Sequence, residues 1–248
     1  MASDYNKLID AQKIIDEYVN RFYPKIYKTR EPILDGITDI EQYLNSKIKI
    51  CWVLKEPYDG YNGRGGGFDL KKCLINDLRK ENHNFGKTWT PIGYVSYSLL
   101  NNFLKYKQLL KIDKKTIMKS LLSISYINVG KMPAKNYSSS PYKAVKDEYK
   151  IWAPILIWQL IKYNPDIIIF GNTLHFFWND LGLDDKNYKE LKNGLYYVKQ
   201  YNKIFLNFYH PAVRESTISK NDYCNSIINV VKNNIYEFKN KCSKTNGT

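Results

Sequence analysis

Three polar residues stand at the ends of apolar runs, where side chains can be held rigidly over a site. Glu56-Pro57 comes one residue after Lys49–Leu54 (KICWVL), His210-Pro211 one residue after Lys203–Phe208, and Asn128 lies within Ile124–Val129 (ISYINV). A carboxylate beside a stiffened turn can orient or deprotonate a water, and it can equally serve as a cap or a solvated surface charge. A histidine in the same setting can move a proton near neutral pH or can be structural. An amide inside an apolar strand must find hydrogen bonds, so Asn128 is either a backbone clamp or a reader of a ligand edge. Phe68 closes the glycine-rich stretch YDGYNGRGGGFD and either packs into the core or stacks on a planar ligand. Gly65-Gly66-Gly67 can cradle phosphate, but the Lys-Ser/Thr ending of a nucleotide loop is missing, which argues against a kinase or NTPase. His83 and His175 have no comparable setting and read as structural or surface residues.

The elements that must position these groups follow from periodicity. Leu8, Ala11, Ile15, Tyr18, Val19 and Phe22 recur at helical spacing and predict an N-terminal helix over about 5–24, stopped by Pro24. Further helices are predicted over Asp69–Lys80, Ile92–Leu110, the stretch after Pro141, Leu174–Leu181 and Thr217–Phe238, with a frayed C-terminal tail. KICWVL, ISYINV and PDIIIF read as buried strands, and Leu195–Val198 and Lys203–Phe208 as two more around Asn202. Near-continuous apolar strands alternating with helices predict an α/β fold: a three-layer α/β/α sandwich on a central, mainly parallel four-stranded sheet, in one domain over 1–248. In such sheets, sites form beyond the carboxyl ends of the strands. Four such ends lead into the loops KEPYD, NVGKMP, GNTL and YHPAVR.

Composition narrows the partner. The 248 residues carry 38 Lys+Arg against 24 Asp+Glu, a net charge of +14, with 22 Tyr. Such a surplus attracts polyanions, and surface tyrosines stack on bases, so nucleic acid is the expected partner. No apolar run reaches the roughly 20 residues of a membrane helix. The N-terminus shows no basic region followed by an apolar stretch, so a cytoplasmic protein is expected, and it is expected to be a monomer. The four cysteines, Cys51, Cys73, Cys224 and Cys242, have no C-x-x-C spacing, so neither a metal site nor a cofactor is expected.

Together the four loops resemble the uracil-DNA glycosylase superfamily. Its first motif, an acid followed by Pro-Tyr and a glycine-rich stretch ending in a stacking Phe, is similar to Glu56-Pro57-Tyr58 and Gly65-Gly66-Gly67-Phe68. Its base-reading Asn is similar to Asn128, and its final His-Pro loop to His210-Pro211-Ala212-Val213-Arg214. The resemblance covers roughly Ile48 to Arg214. The first acid is Glu rather than the commoner Asp, the iron–sulphur cysteines of some branches have no counterpart, and Arg214 stands where several branches carry Leu, as in the single-strand-selective branch. The resemblance implies a monofunctional DNA glycosylase that flips a modified or damaged pyrimidine and hydrolyses its N-glycosidic bond, leaving an abasic site. Glu56 would stabilise the sugar cation and position water, and His210 would donate to the departing base. Phe68 would stack on that base, Tyr58 would stand at its C5 edge and Asn128 would read it. Arg214, Val213 and Lys131 would meet the DNA. A phage-type modified cytosine in antiviral defence and uracil or hydroxymethyluracil in DNA repair both stay open as targets. So does a non-catalytic DNA-binding module on the same fold, although it would not need an acid, a reader and a histidine at three strand ends.

Overall fold

The structure, a computed structural model, describes residues 2–22, 30–59, 65–80, 84–134 and 141–245, without the side chains at 2, 193 and 236–245. The chain opens with α1 (Ala2–Phe22), β1 (Gly36–Ile37), α2 (Ile40–Asn45) and β2 (Ile50–Leu54). Then α3 (Leu70–Arg79), α4 (Gly86–Leu100), α5 (Tyr106–Leu109) and α6 (Lys114–Met118) lead to β3 (Ile124–Asn128). The long α7 (Tyr142–Tyr163) precedes β4 (Ile167–Gly171) and the single turn α8 (Leu174–Phe177). β5 (Tyr188–Glu190), β6 (Tyr196–Gln200), β7 (Lys203–Phe208) and α9 (Lys220–Thr245) follow.

The α/β class holds, but the expected four-stranded sheet is corrected. Among the described residues the sheet has seven strands, ordered β1-β3-β2-β4-β7-β6-β5. The four central strands are parallel to one another, while β1, β5 and β6 add antiparallel margins. Of these margins β6 matches the strand expected at Leu195–Val198, while β1 and β5 escape the sequence pattern for a physical reason: β1 is two residues long, and every residue of β5 is exposed, so neither leaves an apolar run. The turn from β6 to β7 places Tyr201 and Asn202 in the left-handed region, at φ 54° and 56°. A two-residue turn of that hand matches the twist of the strands it joins.

Side-chain alternation along the central strands fills two layers. Ile50, Trp52 and Leu54 pack with Val95 and Leu99 of α4 and with Ile227 and Val231 of α9. Cys51 and Val53 point the other way, into a cluster with Ile15 and Val19 of α1 and with Trp152 and Leu156 of α7. Each such side chain, when fully buried, contributes about 1.5–3 kcal/mol. Burial also pushes the Cys51 thiol up to about 12, so it stays protonated and inert.

Several element bounds differ from expectation. The predicted helix over Ile92–Leu110 starts at Gly86, contains Pro91 and ends at Leu100, where Asn102 and Phe103 turn left-handed and Phe103 N–H donates to Ser98 O at 2.8 Å. The predicted Leu174–Leu181 helix is a single turn. The last helix reaches Thr245, into the predicted tail, and 246–248, Pro24 and His83 lie outside the described residues. No helix among the described residues is long and apolar enough to cross a membrane.

A buried polar cluster ties the layers together. Asp35 and Lys131 are 2% and 1% exposed, and Lys131 Nζ lies 2.7 and 2.9 Å from the two Asp35 carboxylate oxygens. Gln159 of α7 joins both: its Nε2 donates to Asp35 Oδ1 at 3.1 Å, and its Oε1 accepts from Lys131 Nζ at 3.1 Å. Gln12 of α1 donates to the Asp35 carbonyl at 3.0 Å and accepts from the Tyr163 hydroxyl. Gly36, at φ 140°, leaves room for this contact, since a Cβ there would collide with Gln12 and Tyr163.

Removing one member of a buried ion pair leaves the other charged and desolvated, at a cost of about 3–5 kcal/mol. Lys131→Met is therefore expected to lower unfolding stability by that amount in urea titrations. A loss below about 1 kcal/mol would show that the pair does not hold the layers together.

Candidate active site

The parallel central strands deliver their following loops to one edge of the sheet. Leu54 pairs with Asn128, and the β2–β3 pairing runs on beyond the strands. Val129 N–H donates to Leu54 O, Gly130 N–H to Lys55 O and Ala134 N–H to Pro57 O, each at 2.8 Å. Glu56 is thus locked beside Gly130, where a Cβ would lie 3.3 Å from both Glu56 Cβ and Glu148 Cγ. Gly171, at the end of β4 between β2 and β7, gives a second clearance. A Cβ there would collide with Leu54 and lie 3.5 Å from His210 Cα. Two missing side chains therefore let Glu56, Asn128 and His210 come to one strand edge.

Asn128 is fully buried, and its backbone N–H donates to Asp35 Oδ2 at 2.8 Å. Its side-chain Oδ1 and Nδ2 have no hydrogen-bond partner among the described residues, and neither has Glu56 Oε2. The amide is therefore not a backbone clamp. Each unsatisfied buried polar group costs about 1–3 kcal/mol, so these atoms mark a place that a water or a ligand edge can complete. Among the described residues no group fixes which end of the amide faces the site, so it can match an acceptor–donor edge or its reverse.

Burial raises the Glu56 carboxyl to about 7, aided by the nearby Glu148 charge and opposed by Lys55. Burial lowers His210 to about 4, with Lys55 adding to the effect, so its ring is neutral at neutral pH. Its Nδ1 accepts the Ala212 N–H at 3.2 Å. A neutral ring that accepts at Nδ1 carries its proton on Nε2, so Nε2–H is the donor left to act. The turn around it is braced: Val213 N–H donates to His210 O at 2.9 Å, and the Tyr223 hydroxyl of α9 donates to Tyr209 O at 3.1 Å.

The other expected residues divide. Tyr58 is 40% exposed beside Glu56, and the Glu56 charge helps burial raise its hydroxyl. Phe68 is half-buried, with its carbonyl accepting from Leu34 N–H at 3.0 Å. It lines a cleft of about 550 Å³ with Asp16, Glu31, Pro32 and Lys72. Val213 packs on the core, and Arg214 is exposed; both line a groove of about 330 Å³ with Lys87 and Tyr223. Lys131 is corrected: buried against Asp35 and Gln159, it cannot reach a phosphate.

Three residues escaped the sequence reading. Asp35 sets Asn128 from a sequence separation of 93. Tyr126 lies two residues before Asn128 on the same face of β3, so strand alternation could have found it. Burial and the nearby Asp35, Glu56 and Tyr58 charges push its hydroxyl up, and Trp89 packs on its ring at 4.6 Å. Glu148 reaches the site from α7, accepting from Trp152 Nε1 at 2.9 Å. Among the described residues no group of three His, Cys, Asp or Glu side chains could hold a metal ion.

No protein-family model matches the chain, and no curated protein matches it.

The raised Glu56 carboxyl has a consequence for stability. Below its ordinary value of 4.5 the group is protonated folded or unfolded, and it costs nothing. Between 4.5 and about 7 only the unfolded chain ionises, so the penalty on folding grows with pH and is complete above about 7. Glu56→Gln removes that penalty. Its thermal midpoint is expected to exceed that of the original protein at pH 8 and to lie close to it at pH 5, as calorimetry at the two pH values would read. A midpoint gain of the same size at both pH values would contradict the desolvated carboxyl.

Proposed function

We propose that the protein is a DNA glycosylase that hydrolyses the N-glycosidic bond of a flipped pyrimidine, a reading consistent with the resemblance to the uracil-DNA glycosylase superfamily. The observation that carries it is the Asn128 amide, unpartnered among the described residues, at the same strand edge as Glu56 and the Nε2–H of a neutral His210. A planar base edge supplies what the amide lacks.

In this reading the Glu56 carboxylate stabilises the oxocarbenium-like sugar and positions a water. The water oxygen bonds to C1′ as the bond from C1′ to the base breaks, and the bonding electron pair leaves on the base. The water gives one proton to the Glu56 carboxylate, which returns it to solvent, and the base leaves as an anion that takes up a proton from solvent. His210 Nε2–H donates a hydrogen bond to the base oxygen where negative charge gathers, without transferring its proton. Phe68 and Tyr58 bound the base, and Arg214 fills the gap it leaves in the stack. Because the amide can present either order of donor and acceptor, both uracil-type and cytosine-type edges belong in the substrate panel. Removal of a phage-type modified cytosine would place the activity in antiviral defence, and removal of uracil or hydroxymethyluracil in DNA repair.

Purified protein in EDTA is expected to make alkali-labile sites in oligonucleotides that carry one of these bases. A panel left wholly intact would overturn the enzyme reading. On the accepted base, Glu56→Gln and His210→Ala are each expected to lose on the order of 10²-fold or more in rate, with little change in DNA affinity. The rate should rise through about pH 7 as Glu56 ionises.

Arg214 separates two strand contexts. If it fills the stack, Arg214→Ala slows turnover on duplex much more than on single strands, because extruding a paired base costs a few kcal/mol more. Equal losses on both would leave Arg214 as a phosphate contact.

A further inference from the structure

A set of aromatic rings at the same sheet edge plays no part in the reaction described above. Tyr142, at the start of α7, is 58% exposed. Its ring stacks on His175 at 5.3 Å and 20°, and on Phe176 at 5.2 Å and 29°. His175 is itself exposed, and Tyr149 backs Phe176 at 5.9 Å and 22°. An aromatic residue needed only for packing buries its faces, whereas Tyr142 leaves much of its ring in water.

The base of this array is rigid. Asn172 turns left-handed at φ 62° directly after β4, and Asn207 Oδ1 of β7 accepts both Thr173 N–H and Leu174 N–H at 3.1 Å. The Thr173 hydroxyl donates to Val53 O at 2.9 Å, and the Tyr149 hydroxyl donates to Asp180 at 2.5 Å. A surface ordered before binding loses little entropy when a ligand arrives.

The surrounding charge selects the ligand. Lys143 and Lys146 are exposed on the first turns of α7, and Lys55 lies near enough to bear on both His175 and His210. Lys55 precedes Glu56 directly in the chain, so its charge is shared by the array and the strand edge that holds Glu56. Of the neighbouring acids, Asp147 is paired with Lys150 at 3.6 Å, Asp180 accepts from Tyr149, and Glu148 accepts from Trp152. Partial desolvation of the His175 ring between Tyr142 and Phe176, and then Lys55, lowers its pKa, so the ring is a neutral plate near neutral pH. Exposed flat rings among lysines are the combination that binds single-stranded nucleic acid, with bases stacked on the rings and phosphates held by the cations.

The geometry points to Tyr142, with His175 and Phe176 beneath it, as a stacking shelf for an unpaired base of single-stranded DNA next to the nucleotide at the active site. The inference rests on the proposed function only for the direction from which DNA approaches. Paired bases are already stacked on each other and cannot use the shelf, so it favours single strands over duplex.

The test uses unmodified DNA, so it does not depend on any base being removed. Fluorescence anisotropy with a short labelled thymidine strand is expected to show Tyr142→Ala binding about tenfold more weakly than the original protein, the order of one lost stacked base. Tyr142→Phe should bind as the original does, and Tyr142→Trp at least as well, with its indole emission quenched by the strand. Duplex affinity should change less than twofold in Tyr142→Ala. Unaltered single-strand affinity in Tyr142→Ala, or equal losses on single strand and duplex, would overturn the shelf. So would an unquenched Tyr142→Trp. A protein that removes no base yet shows these losses would retain the shelf and lose the glycosylase reading.

Discussion

An ammonium and a carboxylate that meet out of reach of water must satisfy each other completely, and the Asp35–Lys131 pair organises this protein around that demand. Asp35 leads into β1, and Lys131 follows β3. The pair accepts help from α7 through Gln159 and from α1 through Gln12 bound to the Asp35 carbonyl. Its attraction must offset the desolvation of both ions, which happens only with such full hydrogen bonding. The Asp35 oxygen that receives the Asn128 N–H belongs to the same carboxylate. The polar anchor of the helical layers and the setting of the amide at the strand end are therefore one structure.

Against that satisfied cluster, the edge of the sheet a few residues away is left unsatisfied. Glu56 and Asn128 keep buried atoms without partners among the described residues, and burial raises the Glu56 carboxyl to about 7. The two buried carboxylates differ accordingly: Asp35 has hydrogen bonds to both oxygens, and Glu56 Oε2 has none among the described residues. The two glycines at 130 and 171 maintain the difference, because a methyl group at either position would press on Glu56 or on the loop that carries His210.

Much of this was legible in the chain, and the rest was hidden for definite reasons. The central strands announced themselves because both faces are buried, so Ile50–Leu54 and Ile167–Gly171 are apolar nearly throughout. Glu56, Asn128 and His210 were legible because polar residues at the ends of such strands stand out. Lys131 was misread because a lysine in a polar loop looks like a surface residue, and its partner lies 96 positions away. Pairings at that distance leave no periodic trace. Tyr142 and His175 come together in the same way, from two helices that begin on neighbouring loops, although neither is unusual in its own segment.

The order of the sheet also bears on when the protein becomes competent as it is made. β7 docks on β4, in the middle of the finished sheet, yet it is the last strand to be synthesised. A nascent chain that has emerged only through β4 already has Glu56 and Asn128, but it has neither His210 nor the strand that carries it. Because the central sheet lacks its fourth parallel member until then, the earlier strands have an open edge and no complete site. The strand edge that brings Glu56, Asn128 and His210 together is therefore complete only once the segment through residue 210 has docked.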